Sequence, residues 1–304
     1  MEERNLLVTG GTGFIGSALV DELTRLHNRV WVLSRFAEKH RPRSAVFYIH
    51  HLDELPQSEP MDAVINLAGE PLNRQRWNNH SKQRLLESRV ITTTQLCNWM
   101  HKTNHPPEVL VSGSAIGWYG HQQQQQLHER SPAKDGFSHQ LCQAWEHAAQ
   151  AASSAGTRVC LLRIGMVLET DGGPLRQMLG LYRMGLGGRL GNGRQWWSWI
   201  HRQDLLNAIL FLLDDLEITG PVNATAPYPV TQAKFAETLA ATLHRPAKAH
   251  IPGWLLRLML GEMADELLLN GQSVYPKKLL DAGFHFHYSH LEQALQQLLQ
   301  TVRH

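Results

Sequence analysis

An excess of charge of either sign is missing from these 304 residues: 29 Lys and Arg against 27 Asp and Glu leave a formal charge of +2. That balance offers no electrostatic grip on a nucleic-acid backbone. Cysteine is scarce. Cys97, Cys142 and Cys160 lack paired spacing and fall in segments that read as helix or strand, which excludes a disulfide framework and predicts buried thiols in a reducing compartment. No apolar run reaches the roughly 18 residues of a membrane span, and the first strand begins almost at once, so neither a span nor a signal peptide is expected and the predicted location is cytoplasmic. Histidine is plentiful, at 18, yet no HExxH and no Cys/His cluster at metal-ligand spacing accompanies it. No metal site is predicted.

What is present begins at residue 5. Asn5-Leu6-Leu7-Val8-Thr9 reads as a strand that empties into Gly10-Gly11-Thr12-Gly13-Phe14-Ile15-Gly16, after which a helical pattern carries Leu19, Val20, Leu23 and Leu26. One glycine permits the tight turn, another lets backbone amides approach a pyrophosphate, and a third brings helix and strand together. The predicted ligand is a dinucleotide, its phosphates at the helix N-terminus. Arg29 to Leu33 is the second strand, and Ser34-Arg35 stands where the adenosine ribose is read. A carboxylate there would accept from the 2'-hydroxyl of NAD, whereas an arginine pairs with a 2'-phosphate. NADP is therefore expected in preference to NAD, with Lys39, Arg41 and Arg43 as further positive charge. Leu52 is placed beside the adenine, and Leu67, Ala68 and Gly69, closing the strand Asp62 to Gly69, beside the nicotinamide ribose.

Regular alternation of strands and helical crossovers predicts an α/β fold with a Rossmann-type parallel sheet. Glu70, Arg76 and Trp77 leave its C-terminal edge and become candidates for binding a substrate. A fifth strand, Glu108 to Ser112, delivers Ser114 and Tyr119 to the same edge. The glutamine run from Gln122 to Gln126 has no packing periodicity and reads as a surface loop.

In TGGTGFIG through Gly16, NLAGEP at Asn66 to Pro71, SGSAIGWYG at Ser112 to Gly120, AWE at Ala144 to Glu146, GGRLGNGRQWWSWIH at Gly187 to His201 and YPVT at Tyr228 to Thr231, the chain resembles the extended short-chain dehydrogenase/reductase superfamily. Within it the chain is similar to the NAD-dependent epimerase/dehydratase-like proteins that end in a domain of unknown function. That resemblance implies a seven-stranded nucleotide-binding domain with a smaller substrate lobe. It also implies a Ser, a Tyr and a Lys four residues later, the Lys lowering the Tyr pKa while the Tyr moves a proton. Ser114 matches the serine. With Glu146 aligned to the acid that follows the lysine, however, Ser138 stands at the tyrosine position and Cys142 at the lysine, and no YxxxK occurs in the chain. Tyr119 and His139 are the candidate substitutes.

Residues 1–165 with 200–220 are expected to form the NADP-binding domain, and 166–199 with 221–304 a smaller α/β substrate lobe. Five glycines between Gly185 and Gly193 signal tight backbone, and Arg194 and Trp196 emerge from them as substrate candidates. Asp204 is predicted to cap the helix carrying Leu205, Thr231 the helix from Gln232, and the apolar helix Trp254 to Leu260, which shows no solvent face, to be buried. The predicted function is an atypical oxidoreductase or epimerase acting on an unknown small polar molecule, as monomer or homodimer, without nucleic acid or membrane. The alternative is an NADP-binding sensor or regulatory interaction protein that does not turn its cofactor over.

Overall fold

A computed structural model describes residues 3–41 and 43–300. Strands β1 (Asn5–Thr9), β2 (Arg29–Leu33), β3 (Val46–Ile49), β4 (Ala63–Asn66), β5 (Val109–Ala115), β6 (Arg158–Ile164) and β7 (Gly220–Ala224) form one sheet in the order 7-6-5-4-1-2-3. Every pairing in it is parallel, with Leu6 of β1 opposite Val30 on one side and Ala63 on the other. Both faces are covered, which is why these strands are apolar throughout instead of alternating. Leu6 and Val8 point into one core with Leu19 and Leu23 of α1 (Phe14–Arg25); Leu7 points into the other with Leu96 of α2 (Asn79–Lys102) and Ala149 of α3 (Phe137–Gln150).

Beyond β6 follow helices α4 (Gly173–Arg183), α5 (Arg202–Asp214), α6 (Gln232–Thr242), α7 (Gly253–Leu260) and α8 (Leu291–Gln300). Helix α5 joins the sheet's core, its Leu205, Ile209 and Leu212 clustered with Leu19 and Leu23. A separate apolar cluster gathers Leu175 and Leu179 from α4, Trp197 and Trp199, Phe235 from α6 and Leu295 from α8. Thr231 caps α6 as expected, its hydroxyl accepting from Lys234 N at 3.3 Å. No helix among the described residues is long and apolar enough to cross a membrane.

Three expectations fail. The glutamine run is a strand, Gln122–Leu127, lying parallel to Gln272–Val274 with a register shift between Gln272 and Ser273. Its ladder is set by backbone pairing with a segment 150 residues away, which side-chain periodicity cannot register. Helix α7 is not buried: Trp254, Leu258 and Met259 are 65 %, 66 % and 62 % exposed, and only Leu256 is enclosed. Apolar content alone does not tell an enclosed helix from one laid on a surface. Finally, His201 caps α5, its ring Nδ1 accepting from Gln203 N at 3.0 Å. Asp204 lies one turn in and wholly buried, accepting the backbone amides of His287 and Tyr288 at 2.9 Å each, so it fastens the approach to α8 onto α5.

Candidate functional site

The crevice opens where the strand order reverses, at the carboxyl ends of β1 and β4. Gly10 takes φ +68°, and a Cβ there would come within 2.6 Å of the Leu67 carbonyl oxygen. Glycine is therefore what lets the turn after β1 lie against Leu67-Ala68-Gly69. A Cβ on Gly16 would overlap the Gly10 carbonyl, so α1 can dock only because that position is bare. Gly13 is the N-cap of α1: its backbone is extended, no side chain caps the helix and no acidic residue occupies the first turn. Amides and dipole at this end thus have no acidic residue in the helix's own first turn, an environment suited to a pyrophosphate over Thr12 to Gly16.

At the adenosine end, Ser34 follows β2 and its hydroxyl accepts from Phe36 N at 3.2 Å. Arg35 is exposed and, among the described residues, has no carboxylate at ion-pair distance; its guanidinium lies 6.0 Å from the Phe36 ring. Arg43, by contrast, is committed to Asp21 at 2.7 Å. Leu52 opens a single helical turn, Leu52–Glu54, just past β3. Glu70 is fixed by Arg84 at 2.8 Å, which holds its carboxyl below the usual range with help from the nearby charges of Arg74 and Arg35.

A buried polar network lies under the carboxyl end of β5. Ser114 Oγ donates to Glu146 Oε1 at 2.7 Å, and Arg163, 1 % exposed, grips both oxygens of that carboxylate at 2.8 and 2.9 Å. Arg163 also donates to the Tyr119 hydroxyl at 3.1 Å, which in turn donates to Asn223 Oδ1 at 2.7 Å. Burial pushes the Tyr119 phenol up, against the pull of Arg163. The network spans β5, α3, β6 and β7 with its donors and acceptors engaged, so Ser114 and Tyr119 are held as parts of a core. Cys142 lies beside Ser114, its thiol pushed up to about 11 by burial and by the Glu146 charge.

His139 Nδ1 lies 2.6 Å from the Trp118 carbonyl oxygen, its ring edge-on to that indole. Trp77 is buried among Leu85, Leu141 and Met263, its Nε1 donating to Leu72 O at 2.8 Å. Arg76 reaches Gly261 in the C-terminal segment, where a Cβ would come within 3.0 Å of its Nε. Arg194 is exposed and lines a cavity of ≈ 680 Å³ with Arg189, His250, Trp254 and Arg257, whereas Trp196 is half-buried and its backbone pairs with Thr231. Two residues never singled out from the sequence stand at the loop after β5: His121 and Glu266, 145 positions apart and brought together only by the fold.

The model of the NAD dependent epimerase/dehydratase family matches residues 6–224, and that of a domain of unknown function matches residues 251–298. An epimerase family protein of Staphylococcus haemolyticus is 38 % identical over 98 % of this chain and 100 % of its own. Among solved structures, the human epimerase family protein SDR39U1 with NADPH superposes with a TM-score of 0.88 at 33 % identity, covering 97 % of this chain and 99 % of that one. A nucleoside-diphosphate sugar epimerase from Corynebacterium glutamicum follows at 0.79 and 29 %, covering 98 % of this chain and 58 % of the other.

Proposed function

The chain belongs to the NAD dependent epimerase/dehydratase family, and on that premise we propose that it binds NADP(H) and acts as an oxidoreductase or epimerase on a small polar molecule. The observation that carries this reading is the N-terminus of α1, uncapped by any side chain and pressed by Gly10 and Gly16 against the end of β4. In this reading residues 1–165 with 200–220 form the cofactor domain, and 166–199 with 221–304 a lobe that closes over a substrate. Thr12 to Gly16 hold the pyrophosphate and Ser34 and Arg35 the 2'-phosphate. Leu52 bounds the adenine, and Leu67, Ala68 and Gly69 line the nicotinamide ribose. The NADPH bound to the human relative is consistent with the same choice. When bound, the cofactor supplies two-electron redox chemistry; the chain's own residues bind, orient and exclude water.

A second reading, a sensor that binds NADP(H) without turnover, is favoured by Ser138 and Cys142 standing where a Tyr and a Lys are usual. Neither group can supply a poised phenol or a fixed positive charge. A thermal-shift titration with NADPH, followed by its consumption against a carbonyl panel, separates the two. A saturable rise in Tm with NADPH oxidation supports the enzyme; the rise without oxidation supports the sensor; no rise with any dinucleotide sinks both.

A further inference from the structure

The turn Asp265–Leu269 carries Glu266 out of the C-terminal segment and inserts it at the start of α3. Its side chain is 8 % exposed. Oε2 accepts from Ser138 Oγ at 2.5 Å and from Ser138 N at 3.3 Å, and Oε1 lies 3.4 Å from His121 Nε2. Burial would raise this carboxyl, but hydrogen bonds from His121 and Ser138 outweigh it and leave the group below its ordinary range. The other ring nitrogen, His121 Nδ1, is buried and, among the described residues, has no hydrogen-bond partner, while the side chain as a whole is 27 % exposed. An orphaned buried ring nitrogen calls for an explanation, and a ligand atom is one.

This cluster adjoins the loop leaving β5. The Ser138 Cβ packs on Gly117, three residues past Ser114 in the loop leaving β5, where a Cβ on the glycine would come within 3.0 Å. Ser138 is also the residue that occupies the superfamily's tyrosine position. A carboxylate that fixes one imidazole nitrogen sets the tautomer and orientation of the ring, and the opposite nitrogen is then free to exchange a proton.

The geometry points to His121 as the catalytic acid–base of this site, acting through Nδ1, with Glu266 as the residue that positions it and Ser138 as the anchor that fastens Glu266 to α3. This rests on the NADP(H) reading above. In the reducing direction, the Nδ1–H bond breaks and its proton goes to the carbonyl oxygen, which becomes a hydroxyl. The hydride that the carbon needs is what NADPH would supply when bound, being oxidised to NADP+, and the imidazole recovers its proton from solvent. The role that a Tyr and a Lys of one helix fill elsewhere is thus divided between the β5 loop and the C-terminal segment.

The test uses the full chain with NADPH and diacetyl as the probe carbonyl, comparing the parent with His121→Gln and Glu266→Gln. Glutamine at 121 keeps an amide for Glu266 but removes Nδ1; glutamine at 266 keeps acceptors for Ser138 but removes the charge. Both variants are expected to keep their NADPH affinity and to lose about 100-fold or more in kcat, with the double variant no worse than either single one; H121Q should keep its Tm, while E266Q melts slightly lower at neutral pH for want of the carboxylate's contribution. A carboxyl-carbon NMR titration of the cofactor-free protein gives a reading that needs no turnover: the Glu266 midpoint should rise in H121Q. Turnover within a few-fold of the parent in H121Q, an unmoved Glu266 midpoint, or no diacetyl reduction by an NADPH-saturated parent would each overturn the assignment. Failure of the parent to bind NADPH would instead remove the functional reading on which it stands.

Discussion

At the residue scale, side chains of the same type divide into those the fold has engaged and those it has left free. Arg163 and Arg84 are spent on Glu146 and Glu70, while Arg35 faces solvent and, among the described residues, has no carboxylate at ion-pair distance. The place of Arg35 just past β2 was legible because the strand's end can be read from its own apolar run. Tyr119 was not, because nothing local says that its hydroxyl will be shared by Arg163 and Asn223, residues 44 and 104 positions away. Tyr119→Phe should therefore act on stability, costing about 1–3 kcal/mol by leaving buried partners unsatisfied, with NADPH affinity unchanged; chemical denaturation and a binding titration check both halves. Glu266 gives a pH signature. Because its folded pKa is lowered from 4.5, its ionised form adds stability that is complete above the unfolded value and is lost as pH falls through the folded one. Between neutral pH and acid below that folded value, the parent should lose more stability than E266Q. An identical acid dependence would contradict the role given to the carboxylate.

At the scale of elements, the parallel strands and their helices could be read from apolar runs and crossover spacing, since each strand announces its burial in its own sequence. The Gln122–Leu127 strand and the exposed face of α7 could not, since both depend on what lies opposite. Three substitutions, of two contrasting kinds, follow. Gly16→Ala forces a methyl into the Gly10 carbonyl and should cost more than about 1 kcal/mol while weakening NADPH binding, because the turn must move away from Leu67. Trp254→Ser with Leu258→Ser should change stability by no more than about 0.5 kcal/mol each, as befits surface positions. A loss of several kcal/mol would restore the buried helix that the sequence alone suggests. Urea denaturation reads all three.

At the scale of the whole molecule, the sheet and the C-terminal segment meet through polar contacts that no window of sequence displays. Glu129 shows this: Oε1 accepts from Asn223 N of β7 and from Lys278 N near the C-terminus, both at 3.1 Å. Arg163 is the hub beneath the crevice. Arg163→Met would strand the Glu146 carboxylate in the core and should cost about 3–5 kcal/mol, seen as a lower denaturation midpoint at unchanged slope. The cradle for a dinucleotide was legible because a strand, a glycine turn and a helix are consecutive in the chain. The chemistry was not, because Ser138, Glu266 and His121 are scattered over 145 positions.

The account turns on which dinucleotide the chain holds and on Arg35 as the reason. Calorimetric titration of NADPH and NADH into the parent and into R35A measures this most directly. The parent should bind NADPH about 10- to 100-fold more tightly, the value of a charge-assisted contact of about 1.5–3 kcal/mol, and R35A should lose most of that preference through weaker NADPH binding alone. Equal affinities in the parent, tighter NADH, or a preference that survives R35A would contradict it.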